Sequence, residues 1–223
     1  MIVCHAHKFI FLKTRKTAGT SIEIALSEFC GPDDIVTPVT PEDEAIRRQL
    51  GFGGPRNYIL DAKDGTAAHG GRRESPGFFN HVGAAFVRDH LPPLVWNGYF
   101  KFAFERNPFD KAVSGYFWRT REPRPTLGEY VASAPRHLLS DWGIYTVDDQ
   151  IVVDFIGRYE NLAADLAQVY RRIGLRKEPS LPRAKGGYRS DRRHYSELVD
   201  QASRARIESV CDKEMRNLGY RWE

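Results

Sequence analysis

The sequence predicts an α/β protein of three layers, with a central, mainly parallel sheet flanked by helices. Three stretches predict it. Residues 9–12 (FIFL) form a short apolar run of the length of a buried strand, and Ile22, Ala25 and Leu26 follow at helical spacing after a loop. Residues 99–104 (YFKFAF) alternate and are rich in aromatics, and the next helix buries Phe109, Ala112, Val113 and Tyr116. Residues 152–156 lead into Leu162, Leu166, Val169, Tyr170 and Ile173 at helical spacing. Strand followed by helix, repeated along the chain, is the pattern of parallel strands joined by crossovers.

The remaining elements follow in order. Residues 33–54 carry several prolines and a short polar helix over 42–50, stopped by Gly51-Phe52-Gly53-Gly54. Residues 58–60 read as a short strand. Residues 64–77, DGTAAHGGRRESPG, are rich in glycine and charge and lack an apolar period, so they read as an exposed loop. Such a loop could contact an acceptor or be a plain connection; Arg72 and Arg73 are its anion-binding features. A helix over 82–91 stops at Pro92-Pro93, with Asn80 and His81 ahead of it. Asn107 suits a helix cap and Pro108 the first turn. A Pro/Arg-rich turn at 121–125 precedes a short helix over 127–134, and Gly174 closes the helix begun at Leu162. Residues 178–195 are irregular and basic, and 195–218 are mostly helical, with Leu198, Val199, Ile207, Val210 and Met215 inward.

A chain of 223 residues with 41% hydrophobic and 28% charged content fits one sizeable soluble domain. No repeat or linker divides it, so a single domain over 1–223 is expected. A net charge of +4 argues against a general nucleic-acid binder. Cys4, Cys30 and Cys211 are widely spaced and odd in number, and form neither a metal-ligand pattern nor a disulfide framework. No run approaches a membrane span, and no signal peptide or anchor is visible, so a cytoplasmic protein is expected, or the catalytic part of a longer one.

Chemistry concentrates first in Thr14-Arg15-Lys16-Thr17-Ala18-Gly19-Thr20-Ser21. A strand, a tight loop and a helix N-terminus make an anion site, because unpaired N–H groups and the positive end of the helix dipole face the ligand. Small residues let the backbone approach, Lys16 adds a full charge, and Thr17, Thr20 and Ser21 add hydroxyls. The lysine precedes the glycine, so this is not the Walker order. The stretch resembles the 5′-phosphosulfate loop of sulfotransferases that use 3′-phosphoadenosine-5′-phosphosulfate (PAPS). The form K-T-A-G-T-S is closest to the carbohydrate sulfotransferases.

A second stretch, residues 102–116 (FAFERNPFDKAVSGY), resembles the 3′-phosphate segment of the same family, F-x-x-R-N-P-x-x-R-x-x-S-x-Y. Arg106 and Ser114 match the residues that grip the phosphate there, and an arginine fork with a hydroxyl suits that task. Glu105 stands where an apolar residue is usual and Lys111 where arginine is commoner; Glu105 is expected to compete for Arg106. Residues 153–162 and 211–220 are similar to later family segments, so the resemblance covers most of the chain and is weakest over 30–79.

The resemblance implies a P-loop-like fold and PAPS as co-substrate, with no metal required. The expected contacts are Arg15, Lys16, Thr17, Ala18, Gly19, Thr20 and Ser21 at the 5′ end and Arg106 with Ser114 at the 3′ end. It also implies a base for the acceptor hydroxyl, and His81 is similarly placed to the family's histidine; an imidazole suits the role. The plain alternative for His81 is a helix cap, and His69 is the competing base. Residues 171–193 hold nine basic and two acidic side chains. In this run Lys185 and Arg189 resemble a basic glycine-containing loop that closes over the nucleotide, although such runs are usually solvated faces. The function implied is sulfuryl transfer to a carbohydrate or other hydroxyl-bearing acceptor. The rivals are a kinase-like phosphotransferase and a non-catalytic binder of RNA or other polyanions.

Overall fold

The computed structural model describes residues 1–60, 77–182, 184 and 189–223. Its elements run β1 (Ile2–Cys4), β2 (Phe9–Phe11), α1 (Gly19–Ser27), β3 (Ile35–Val36) and α2 (Pro41–Gln49). Next come α3 (Ala84–His90), α4 (Pro93–Gly98), β4 (Phe100–Glu105), α5 (Pro108–Arg119), α6 (Leu127–Ser133), α7 (Arg136–Leu139) and α8 (Trp142–Tyr145). The chain ends with β5 (Thr146–Val147), β6 (Gln150–Ile151), β7 (Phe155–Arg158), α9 (Leu162–Arg172), α10 (Gln201–Val210) and α11 (Asp212–Leu218).

Five strands form one sheet in the order β3-β1-β2-β4-β7. The pairs β2–β4 and β4–β7 are parallel, as expected, whereas β1 runs antiparallel to both β2 and β3. The sheet is therefore mixed rather than mainly parallel. The reason is local: β1 reaches β2 through the turn at 5–8, far too short for the crossover that parallel pairing requires. A separate two-residue hairpin, β5–β6, turns at Asp148 and Asp149, both with positive φ as a primed turn demands. The strand expected at 58–60 is reduced to a bridge between Ile59 and Gly77.

Alternation along the strands builds two cores. Val3, Ile10, Leu12 and Ala103 face α3, α4 and α8 through Val87, Trp96, Ile144 and Tyr145. Ile2, Phe9, Phe11, Phe102 and Phe104 face α1 and α9 through Ile22, Leu26, Leu166, Val169 and Tyr170. Both faces are thus covered, which is why β2 and β4 read as nearly continuous apolar runs. A third cluster joins α5, α6 and α10 through Val113, Tyr116, Val131, Ile207 and Val210. Among the described residues no helix is long and apolar enough to cross a membrane.

This arrangement leaves the loops after β2 and β4 side by side at the carboxyl ends of two adjacent parallel strands. In open α/β sheets that is where crevices for ligands form.

Candidate functional site

The loop after β2 is held in a shape that ordinary residues resist. Lys16 and Ala18 both take positive φ, 62° and 60°, and Ala18 is the N-cap of α1 without a side-chain cap. Alternating hand along the backbone turns successive N–H groups toward one point, a nest for an anion, and the first-turn N–H groups of α1 add to it. Gly19 is required by space: a Cβ there would stand 2.8 Å from Lys13 Cγ and 3.2 Å from the Thr14 carbonyl oxygen. Thr17 departs from its expected role. Its side chain is fully buried, 2.9 Å from the Thr14 hydroxyl, and Thr14 in turn donates to the Phe104 carbonyl. The Thr17 hydroxyl thus ties the loop to β4, and any contribution to a ligand comes from its backbone.

The loop after β4 meets this nest directly. Arg106 Nη1 donates to the Lys16 carbonyl at 2.9 Å, and the Arg106 guanidinium lies 4.0 Å above the Tyr159 ring. The two motifs, ninety residues apart, share one cleft of about 290 Å³ whose walls include Arg15, Lys16, Ser21, His81, Arg106 and Ser114. Ala18, Gly19 and Thr20 also line it. The Lys16 ammonium rests 4.7 Å from the Trp118 ring centroid, which holds a cation at the cleft.

Glu105 and Lys111, the two departures from the resembled sequence pattern, pair with each other. Glu105 does not engage the Arg106 guanidinium; it accepts the Arg106 backbone N–H at 2.9 Å and the Lys111 ammonium at 2.6 Å. Lys111 also donates to Asp141 at 3.1 Å, and Asp141 accepts from Arg15 through both the backbone N–H and the guanidinium. Burial works against the Lys111 charge, yet Asp141 and Glu105 outweigh it and raise its pKa above the ordinary lysine value. Arg15 is consequently fixed at the cleft wall by a buried carboxylate. Removing this cation leaves the buried Glu105 carboxylate without its ion-pair partner and Asp141 with Arg15 alone, so Lys111→Met should cost about 3–5 kcal/mol in urea denaturation. Glu105→Gln added to Lys111→Met should recover part of that loss.

His81 follows Asn80 in a turn with φ 64° and does not cap α3, whose N-cap is Gly83. Its Nδ1 lies 2.9 Å from the Lys13 carbonyl. A carbonyl only accepts, so Nδ1 carries the proton and Nε2 keeps the lone pair. Burial, reinforced by the nearby Lys13 charge, lowers the His81 pKa to about 4. The imidazole is therefore neutral across the physiological range. Lys13 is itself locked, donating to Glu23 at 2.7 Å and to Asn80 at 2.9 Å. Burial alone would raise Glu23, but Lys13 and its other partners bring it down to about 2.

Arg189 sits beside the cleft rather than in its wall. It donates to Asp110 at 2.6 Å, and Asp110 also accepts from Arg106. Ala184, from the same basic run, lines the cleft and donates its N–H to Ser21 Oγ at 3.3 Å. Lys185 lies outside the described residues, as do His69, Arg72 and Arg73. Sequence reasoning missed Asp141, Tyr159, Trp118 and Asp110. Asp110 alone had a local signal, standing four residues after Arg106 in the first turn of α5.

The cysteines are less scattered than their spacing implies. Atoms of Cys4, Cys30 and Asp34 lie within 4.8 Å of one another at the opposite end of β1. Asp34 accepts from the His5 and Gly31 N–H groups, and the thiols donate to the Phe29 and Leu26 carbonyls. These bonds staple the β1 turn to the end of α1.

No family model and no solved structure matches the chain. Over 101 residues it is 36% identical to a protein of Archaeoglobus fulgidus described as an uncharacterized protein, a match covering 43% of this chain and 84% of the archaeal one.

Proposed function

We propose that this chain, which belongs to one family with that archaeal protein, is a sulfotransferase of P-loop-like fold. It would transfer a sulfuryl group from PAPS to a hydroxyl of a carbohydrate or glycoconjugate acceptor. One observation carries the reading: the nest at 16–19 and the Arg106–Ser114 segment open onto one cleft, with a neutral histidine in its wall. A nucleotide with phosphate at both its 5′ and 3′ positions offers one anion to each of these two groups of donors. The donor set fits: backbone N–H groups of α1 and the Lys16 ammonium at one end, a guanidinium and a hydroxyl at the other.

In the reaction the acceptor oxygen attacks sulfur and its proton passes to His81 Nε2. The bond from sulfur to the bridging oxygen breaks, and the electron pair leaves with the 5′-phosphate of 3′,5′-ADP. Transfer of this kind depends on positioning and charge stabilisation. Lys16 neutralises the charge that grows on the bridging oxygen. Lys16→Ala should lower turnover by about 10²–10³ while changing affinity for 3′,5′-ADP far less. Near-normal turnover would remove Lys16 from the mechanism. In this reading the protein works in the cytoplasm, in keeping with cysteines left as free thiols.

Calorimetry with 3′,5′-ADP, ATP and heparin separates the candidates. Preference for 3′,5′-ADP supports the proposal, preference for ATP with Mg²⁺ supports a phosphotransferase, and binding of heparin alone a polyanion binder. A screen of acceptors with labelled PAPS then identifies the substrate.

A further inference from the structure

Arg106 and Arg189 come from distant parts of the chain, yet one carboxylate holds both. Asp110 Oδ2 accepts from Arg106 Nε at 2.8 Å and from Nη2 at 2.6 Å, while Oδ1 accepts from Arg189 Nη1 at 2.6 Å. Each carboxylate oxygen therefore serves one arginine. The Arg106 guanidinium also donates to the Lys16 carbonyl, and that of Arg189 to the Asp191 and Arg193 carbonyls. Among the described residues these bonds leave each guanidinium with N–H groups on its terminal nitrogens for a ligand. Burial would raise the Asp110 pKa, but Arg106 and Arg189 outweigh it and hold it below the ordinary aspartate value. The carboxylate thus stays charged and cancels only one of two guanidinium charges, so the cluster keeps a net positive charge next to the cleft.

Two guanidiniums placed close together repel, and long side chains carry much rotamer freedom to lose on binding. A carboxylate behind them removes both costs before any ligand arrives. We propose that Asp110 is a positioning residue that fixes Arg106 and Arg189 as one fork for the terminal phosphate of the nucleotide. This rests on the sulfotransferase reading, in which that phosphate is the 3′-phosphate. Asp110 touches no reacting atom; its effect is on which nucleotide is accepted.

The test is calorimetry of 3′,5′-ADP and 5′-AMP on the full chain as wild type, Asp110→Asn and Arg189→Gln, with thermal melting alongside. The wild type should prefer 3′,5′-ADP. Asp110→Asn should lose roughly tenfold to a hundredfold of that preference, equivalent to one or two charge-assisted bonds, with 5′-AMP affinity and melting near wild type. Arg189→Gln should lose a smaller part of it. A parallel fall in both affinities together with a lower Tm would mark Asp110 as structural only and overturn the inference. A rise in 3′,5′-ADP affinity would overturn it too, marking Asp110 as a competitor for the arginines. If Asp110→Asn does not fold, an unchanged preference in Arg189→Gln is the overturning result. Equal affinities in the wild type itself would end the sulfotransferase reading and this inference with it, whereas wild-type preference kept in both variants ends the inference alone.

Discussion

Replacing His81 with asparagine should lower turnover by about 10²–10⁴ while leaving donor binding intact, because in the proposed reaction the acceptor hydroxyl then loses its base. Asparagine is the informative choice. It tolerates the positive φ of this position, 64°, and its amide can still donate to the Lys13 carbonyl. The acid limb of the wild-type pH–rate profile should fall near pH 4 rather than near 6.5, following the lowered pKa of the imidazole. Stability carries the same signature. Between about pH 6.5 and 4 the unfolded chain binds a proton at His81 that the folded chain refuses. The unfolded state then holds more protons, so stability falls as pH is lowered through that window. His81→Asn should remove this part of the pH dependence in urea titrations at pH 7 and pH 5. A variant with wild-type turnover would take His81 out of the reaction.

Arg106→Ala should erase most of the preference for 3′,5′-ADP over 5′-AMP. Charge-assisted bonds to phosphate are worth about 1.5–3 kcal/mol each, so two or three imply a wild-type preference of about 10²–10⁴. The hydrogen bond from Arg106 to the Lys16 carbonyl changes what else to expect. Without it the Lys16 backbone loses a support for its left-handed conformation, and 5′-AMP should weaken as well, by about tenfold or less, the scale of one hydrogen bond. The ratio of the two affinities, measured by calorimetry, is therefore the quantity to follow. A ratio unchanged by the substitution would detach Arg106 from phosphate recognition.

Much of the scaffold was legible in the chain. The runs at 9–12 and 99–104, the spacing of Leu162, Leu166 and Val169, and the cap at Asn107 are local patterns set by one face of one element. What escaped was short or depended on a partner. β1 is three residues long, and α7 and α8 are four each, too short to show a period. The direction of β1 followed from the length of one turn, a detail the general α/β pattern does not contain.

The site divides in the same way. Lys16, Gly19, Arg106, Ser114 and His81 could be named from the sequence because a loop opening a helix, or an arginine after a strand, carries its chemistry in adjacent residues. The inward turn of Thr17 could not, since it needed the hydroxyl of Thr14 and the carbonyl of Phe104 on the next strand. Nor could the pairing of Glu105 with Lys111, because Asp141, which shares the Lys111 ammonium, belongs to a segment with no motif. His81 was visible as a histidine. Its tautomer and low pKa came from the Lys13 carbonyl and from burial.

By itself, then, the sequence determined which residues are able to bind anions and which elements carry them, since composition and period act over a few residues. Only the tertiary structure decided that two such segments share a cleft, which side chains are spent on holding others, and which charge survives there. Those outcomes depend on desolvation and on partners brought from far along the chain, and no local pattern records them.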